Sequence, residues 1–123
     1  MALVATPSTT QVSSQMIKST VLGVIADKDI AGGAAKIYML DCLNNHGSAR
    51  GFLKIFDTAA PEVGTTTPVM VIPIDGAQRQ VITIAEGITL SSGLSWAFVN
   101  AAGTAGTGAI TGGALTVAVI KAV

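Results

Sequence analysis

Apolar residues in this chain recur at every second position and almost nowhere at helical spacing, which points to β-strands throughout. In Ala114 to Val123, Leu115, Val117 and Val119 share one face. In Arg79 to Ala85, Ile82 and Ile84 lie on one side, with Val81 and Thr83 on the other. Ala35 to Leu43 and Ala49 to Phe56 read as strong strands. Asn44-Asn45-His46-Gly47-Ser48 between them has the composition of a hairpin connection. Met16 to Ile25 reads as a strand broken near Gly23, followed by a polar, solvated turn at Asp27-Lys28-Asp29. Val69 to Ile74 is apolar but contains Pro73, which cannot donate to a ladder, so it is expected to end there or to sit on an edge. Asp75-Gly76 is a hairpin-turn signal and Glu86-Gly87 a second turn; Ile88 to Leu90 and Leu94 to Val99 are short strands around Ser91-Ser92-Gly93. The expectation is an all-β chain: a single β-sandwich (jelly-roll-like) or barrel of about eight short strands. Residues 1–15, rich in Ser and Thr without an apolar face, read as an extended N-terminal arm, and residues 16–123 as the sandwich domain.

Composition narrows the function classes. The 123 residues are 50% hydrophobic and 11% charged, against about 25% charged in average proteins, and seven cations balance seven acids. Disorder requires the reverse balance. Seven scattered cations do not make a phosphate track, so nucleic acid is not expected as a partner. A neutral, charge-poor surface on so small a domain self-associates, so the chain reads as a subunit of a larger assembly. The uncharged stretch from Gly87 to Ile120 has the length of a membrane span, but glycines, hydroxyl residues and Asn100 interrupt it, and no membrane partner is expected. The start of the chain lacks a basic n-region, so no signal peptide is read there.

Candidate chemistry is sparse. Cys42 is the single cysteine and reads as a small buried hydrophobe; His46, the single histidine, lies in the next turn and makes a weak nucleophile–base pair with it. Gly93-Leu94-Ser95-Trp96-Ala97 approaches a nucleophile elbow, but a strand rather than a helix follows Ser95, so Ser95 reads as an ordinary strand serine. Asp27 and Asp29 begin a calcium-loop pattern that lacks its downstream glycine and glutamate. No catalytic residue, metal ligand or cofactor is therefore expected. Lys54, between Phe52 and Phe56, reads as a snorkelling side chain. Trp96 is expected in the core or as an anchor between subunits. The segment Gly103 to Gly113 has five glycines among eleven residues and no charge. A free loop so rich in glycine loses much entropy on ordering. Its small residues, Gly103, Thr104, Ala105, Gly106, Thr107, Gly108 and Ala109, let another backbone approach, and together with Trp96 they are the candidate interface.

From Arg50 onward the chain resembles a group of small structural proteins of tailed bacteriophages. The resemblance rests on the order of Ser48-Ala49-Arg50-Gly51-Phe52-Leu53-Lys54-Ile55-Phe56-Asp57, then Pro61-Glu62-Val63-Gly64-Thr65-Thr66-Thr67-Pro68-Val69, then Ile72-Pro73-Ile74, then Glu86-Gly87-Ile88-Thr89-Leu90-Ser91-Ser92-Gly93-Leu94, and a closing aliphatic strand. Small β proteins of this type are similar to head-decoration (cement) subunits. The resemblance implies a homotrimer on the capsid surface that clamps neighbouring major capsid proteins and is made in the host cytoplasm. A tail or fibre-associated component, binding glycans through its loops, is the alternative.

Overall fold

The computed structural model describes residues 14–110 and 115–122. Those residues form seven strands: β1 (Ser14–Leu22), β2 (Ala35–Asn44), β3 (Gly51–Asp57), β4 (Met70–Ile74), β5 (Arg79–Leu90), β6 (Leu94–Val99) and β7 (Leu115–Ala122). The expected arm lies outside the described residues apart from Ser14 and Gln15, which begin β1 opposite Ala122 and Lys121.

Two antiparallel sheets face each other. Sheet A has the order β1-β7-β2-β5 and sheet B the order β4-β3-β6. An eighth element completes sheet B. Residues 23–30 run antiparallel along the far edge of β6. Asp27 N donates to Trp96 O at 3.0 Å, Trp96 N to Asp27 O at 3.1 Å, Phe98 N to Gly23 O at 2.8 Å and Ile30 N to Leu94 O at 2.9 Å. Counting this segment as the second of eight elements, the first pairs with the last, the second with the seventh, the third with the sixth and the fourth with the fifth. A two-stranded ribbon wrapped around a core in this way is a jelly roll.

The alternation in the sequence decides what lies inside. Leu22, Ile37, Leu40, Cys42, Leu115, Val117 and Val119 face inward from sheet A. Leu53, Ile55, Ile72, Ile74, Leu94, Trp96 and Phe98 meet them from sheet B. Sheet B is also covered on its outer face. Phe56, Ala97, Val99, Lys54 and Ser95 point away from that core, yet each is buried. The loops after β3 and β6 lie over them as a third layer.

Several local expectations are corrected. Neither Asn44–Ser48 nor Asp75-Gly76 closes a hairpin, because each joins a strand of one sheet to a strand of the other. A turn motif encodes a change of direction but not which strand is met afterwards. Glu86-Gly87 is not a turn between two strands. Gly87, at φ 76°, sits in a bulge of one continuous β5: Thr83 pairs with Met39 and Ile88 with Ile37, so residues 84–87 stand opposite Tyr38 alone. The Asp27-Lys28-Asp29 turn is the β6-bound segment just described rather than a solvated loop. Pro73 does lie on an edge strand, β4, as its missing donor requires.

Candidate functional site

Two polar clusters organise the described surface, and both are built into the fold. The first locks the two sheet-to-sheet corners together. Asn44, fully buried at the end of β2, donates through Nδ2 to Ala49 O at 2.8 Å and to Ile74 O at 3.0 Å, and its Oδ1 accepts from His46 N. His46 Nδ1 accepts from Ser48 N at 3.0 Å and from Ala49 N at 2.8 Å, and His46 O accepts from Ala77 N at 2.6 Å. The imidazole lone pair is thus spent on the turn backbone. Cys42 lies inside the core, where burial pushes its thiol up to about 12. The weak Cys42–His46 pair is therefore not assembled as a nucleophile and base.

This environment has a direct consequence for Cys42. With a pKa near 12, the thiolate fraction at pH 8 is roughly one part in ten thousand. The native chain is expected to resist an aromatic disulfide reagent at pH 8 and to release one equivalent of thiol only in denaturant. The ordinary thiol value is 9.0, so folding raises the pKa and the folded state holds this proton more tightly. The contribution of Cys42 to stability is complete below pH 9 and falls away as pH rises toward 12. Rapid labelling of the native protein at pH 8 would contradict this placement.

The second cluster is centred on Lys54. Its side chain is 1% exposed, and Nζ donates to Gly103 O at 2.6 Å and to Gly106 O at 2.8 Å. Burial lowers its pKa from the ordinary lysine value. Lys54 does not snorkel into water. It reaches the outer face of sheet B and pins the loop between β6 and β7, and Asn100 N donates to Gly108 O to close that loop. As far as Ile110 the loop packs on the chain's own structure: Ile110 joins the core, and a Cβ on Gly64 would meet Thr107 Cγ2 at 2.6 Å, while residues 111–113 of the expected segment lie outside the described residues. A charge-free sequence suits a loop whose carbonyls meet a buried ammonium.

The candidate interface residues fall into two groups. Gly103, Ala105, Thr107 and Ala109 are exposed along the loop, while Thr104, Gly106 and Gly108 between them are half-buried. Trp96, considered as an anchor between subunits, is 0% exposed within its own chain. It packs in the core, and its Nε1 donates to Asp27 Oδ2 at 3.3 Å. Trp96 is thus withdrawn from the candidate contacts, because the segment at 23–30 covers its edge.

Ser95 is a strand serine, as its context in the sequence implies. It is buried, donates from Oγ to Thr58 O at 2.7 Å and accepts from Asp29 N at 2.9 Å. Asp29 holds φ at 47°, and its Oδ1 accepts from Gly33 N. Both acids of the calcium-like pattern thus serve the backbone and Trp96.

The exposed side of sheet A is different in character. Met16, Lys18, Asp41, Leu43, Arg79 and Ala118 line a shallow groove of about 300 Å³ across all four strands. Arg79 Nε donates to Asp41 Oδ1 at 2.7 Å, and this hydrogen bond holds the Asp41 carboxyl below its ordinary value. Arg79 is largely open to water and Asp41 half-buried, so the contribution of the pair to stability is small. Sequence reasoning missed this face, although Met16, Leu43 and Val81 are outward positions of their strands by parity. Among the described residues, no group of three or more His, Cys, Asp or Glu side chains could hold a metal, and no helix is long and apolar enough to cross a membrane. Comparison with protein-family models, with curated proteins and with solved structures finds no match.

Proposed function

We propose that this chain is a non-enzymatic virion structural protein: a trimeric capsid decoration protein that clamps neighbouring major capsid proteins. The observation that carries the reading is the outer face of sheet A, where Met16 is 67% exposed, Val81 52% and Leu43 38%, around a single exposed ion pair. Grouped exposed apolar side chains on a charge-poor domain favour a protein contact. The bacteriophage-like segment order and the jelly-roll wrap, an architecture used in capsid proteins, agree with it. The clamp acts through mass action: a subunit bound only to the assembled shell stabilises that shell against separation. Jelly rolls also occur in lectins, so the second reading is a tail or fibre-associated component that binds glycans.

Locating the protein on purified virions tests both. Density on the head supports decoration, density on the tail supports the second reading, and absence from virions overturns both. Within the decoration reading, the exposed loop row touches a neighbouring chain. Ala109→Arg is expected to leave the melting temperature of the free domain within about 2 °C, because Ala109 is exposed. It is expected to cut capsid occupancy at least tenfold through steric clash and a buried unpaired charge. Normal occupancy of that variant removes the loop from the interface.

A further inference from the structure

In the loop after β6, glycines face the chain and residues with side chains face away from it. Gly106 and Gly108 sit against their own structure: a Cβ on Gly106 would meet Ala101 O at 2.7 Å, and one on Gly108 would meet the Asn100 side-chain amide. Their carbonyls point inward as well. Gly106 O accepts from Lys54 Nζ at 2.8 Å, and Gly108 O from Asn100 N at 2.9 Å. Among the described residues every peptide bond is trans, so the amide that follows an inward carbonyl points the other way. Thr107 N and Ala109 N are thereby turned outward, on residues that are themselves exposed. Neither amide makes a hydrogen bond among the described residues.

Lys54 holds this arrangement. Its Nζ ties Gly103 O and Gly106 O to β3, and Gly106 N donates to Gly103 O between them. Glycines at 103, 106 and 108 would otherwise leave the loop many conformations. Among the described residues no acid pairs with Lys54, so its charge is committed to the loop carbonyls. An apolar side chain could fill the same space without burying a charge, and a buried charge can be kept for the conformation it specifies.

We propose that Lys54 is the positioning residue of a contact between copies of this chain, setting the loop so that Ala105, Thr107, Ala109 and the outward amides meet a second copy already ordered. The proposal rests on the reading of the loop row as a contact with a neighbouring chain, and adds how that contact is prepared. A neutral, charge-poor chain favours its own copy as the partner. Lys54 is 1% exposed and cannot touch that partner, so any effect it has on association passes through the loop. Ordering several loop residues on binding weakens association, and a loop fixed by Lys54 has already lost that entropy on folding.

Sedimentation equilibrium of the full chain at micromolar concentration tests this with three variants. Lys54→Met keeps most of the buried volume and removes the donor. It is expected to weaken self-association on the order of tenfold while circular dichroism shows the strands still folded. Ile37→Val, a core change in sheet A of comparable stability cost, is expected to associate like the wild type. Ala109→Arg is expected to abolish association. Wild-type association of Lys54→Met beside its loss in Ala109→Arg overturns the positioning role and leaves the loop contact standing. Equal weakening by Ile37→Val reduces the effect to stability and also overturns the role. A monomeric wild type, or unchanged association of Ala109→Arg, overturns the loop as a contact between copies and this proposal with it.

Discussion

Gly76→Ala is expected to destabilise the domain by about 3 kcal/mol, more than most single substitutions in a turn. The reason is not backbone freedom, since the left-handed residue of that turn is Ala77, at φ 58°. It is proximity. A Cβ on Gly76 would meet the backbone of Ser48, with Cα at 2.6 Å and N at 2.7 Å. Backbone cannot rotate aside as a side chain does. The two corners would have to separate, and they are joined there by Ala77 N to His46 O, Asn44 N to Gln78 O and the Asn44 side chain to Ile74 O. Separation leaves the buried Ile74 carbonyl without its donor, at about 1–3 kcal/mol when it stays dry, and breaks the two backbone hydrogen bonds beside it. For a chain of this size the melting temperature should drop by roughly 10 °C. Gly47→Ala is the matched control, because nothing lies within 4 Å of its Cβ position. It should change stability by no more than about 0.5 kcal/mol. Equal melting temperatures for the two variants would show that the corners part freely.

The same corners show where reading from the sequence stops. Period-2 patterning identified the faces of β7, because burial of alternate side chains is a local signal, and the missing donor of Pro73 pointed to a strand end or an edge. Asp75-Gly76 marks a reversal equally well, but the partner of each strand is chosen by contacts far along the chain. Residues 23–30 were harder still. Their attachment to β6 runs mainly through backbone groups, Asp27 with Trp96 and Ile30 with Leu94, and backbone groups leave no trace in residue type. Lys54 carried half of its own signal: alternation placed it on one side of the strand with Phe52 and Phe56. What lay above it could not be read, because the carbonyls it meets are 49 and 52 residues away.

Lys54→Ala is expected to destabilise the domain by about 3 kcal/mol, and Lys54→Met by less than half as much. The argument separates the stem from the charge. Alanine removes a long buried side chain between the sheet and the loop layer, leaving a cavity, and it also strips Gly103 O and Gly106 O of their donor. Methionine refills most of the volume and abolishes the cost of burying an ammonium, so only the loop attachment is lost. Hydrogen exchange should report that loss locally. The Gly106 amide, which donates to Gly103 O, and the Asn100 amide, which donates to Gly108 O, should exchange faster in Lys54→Met while the strands keep wild-type protection. The pH dependence supplies an independent check. Folding lowers the Lys54 pKa, so between that value and the ordinary 10.5 the unfolded chain holds a proton the folded chain has released. Stability from this group therefore rises with pH through that window and is lost as pH falls through the folded value. The stability of the wild type relative to Lys54→Met should grow as pH approaches 10.5 from below, and Cys42 cancels from the comparison because both chains contain it. A difference that stays flat or shrinks over that range would mean that the Lys54 ammonium sits in water rather than beneath the loop.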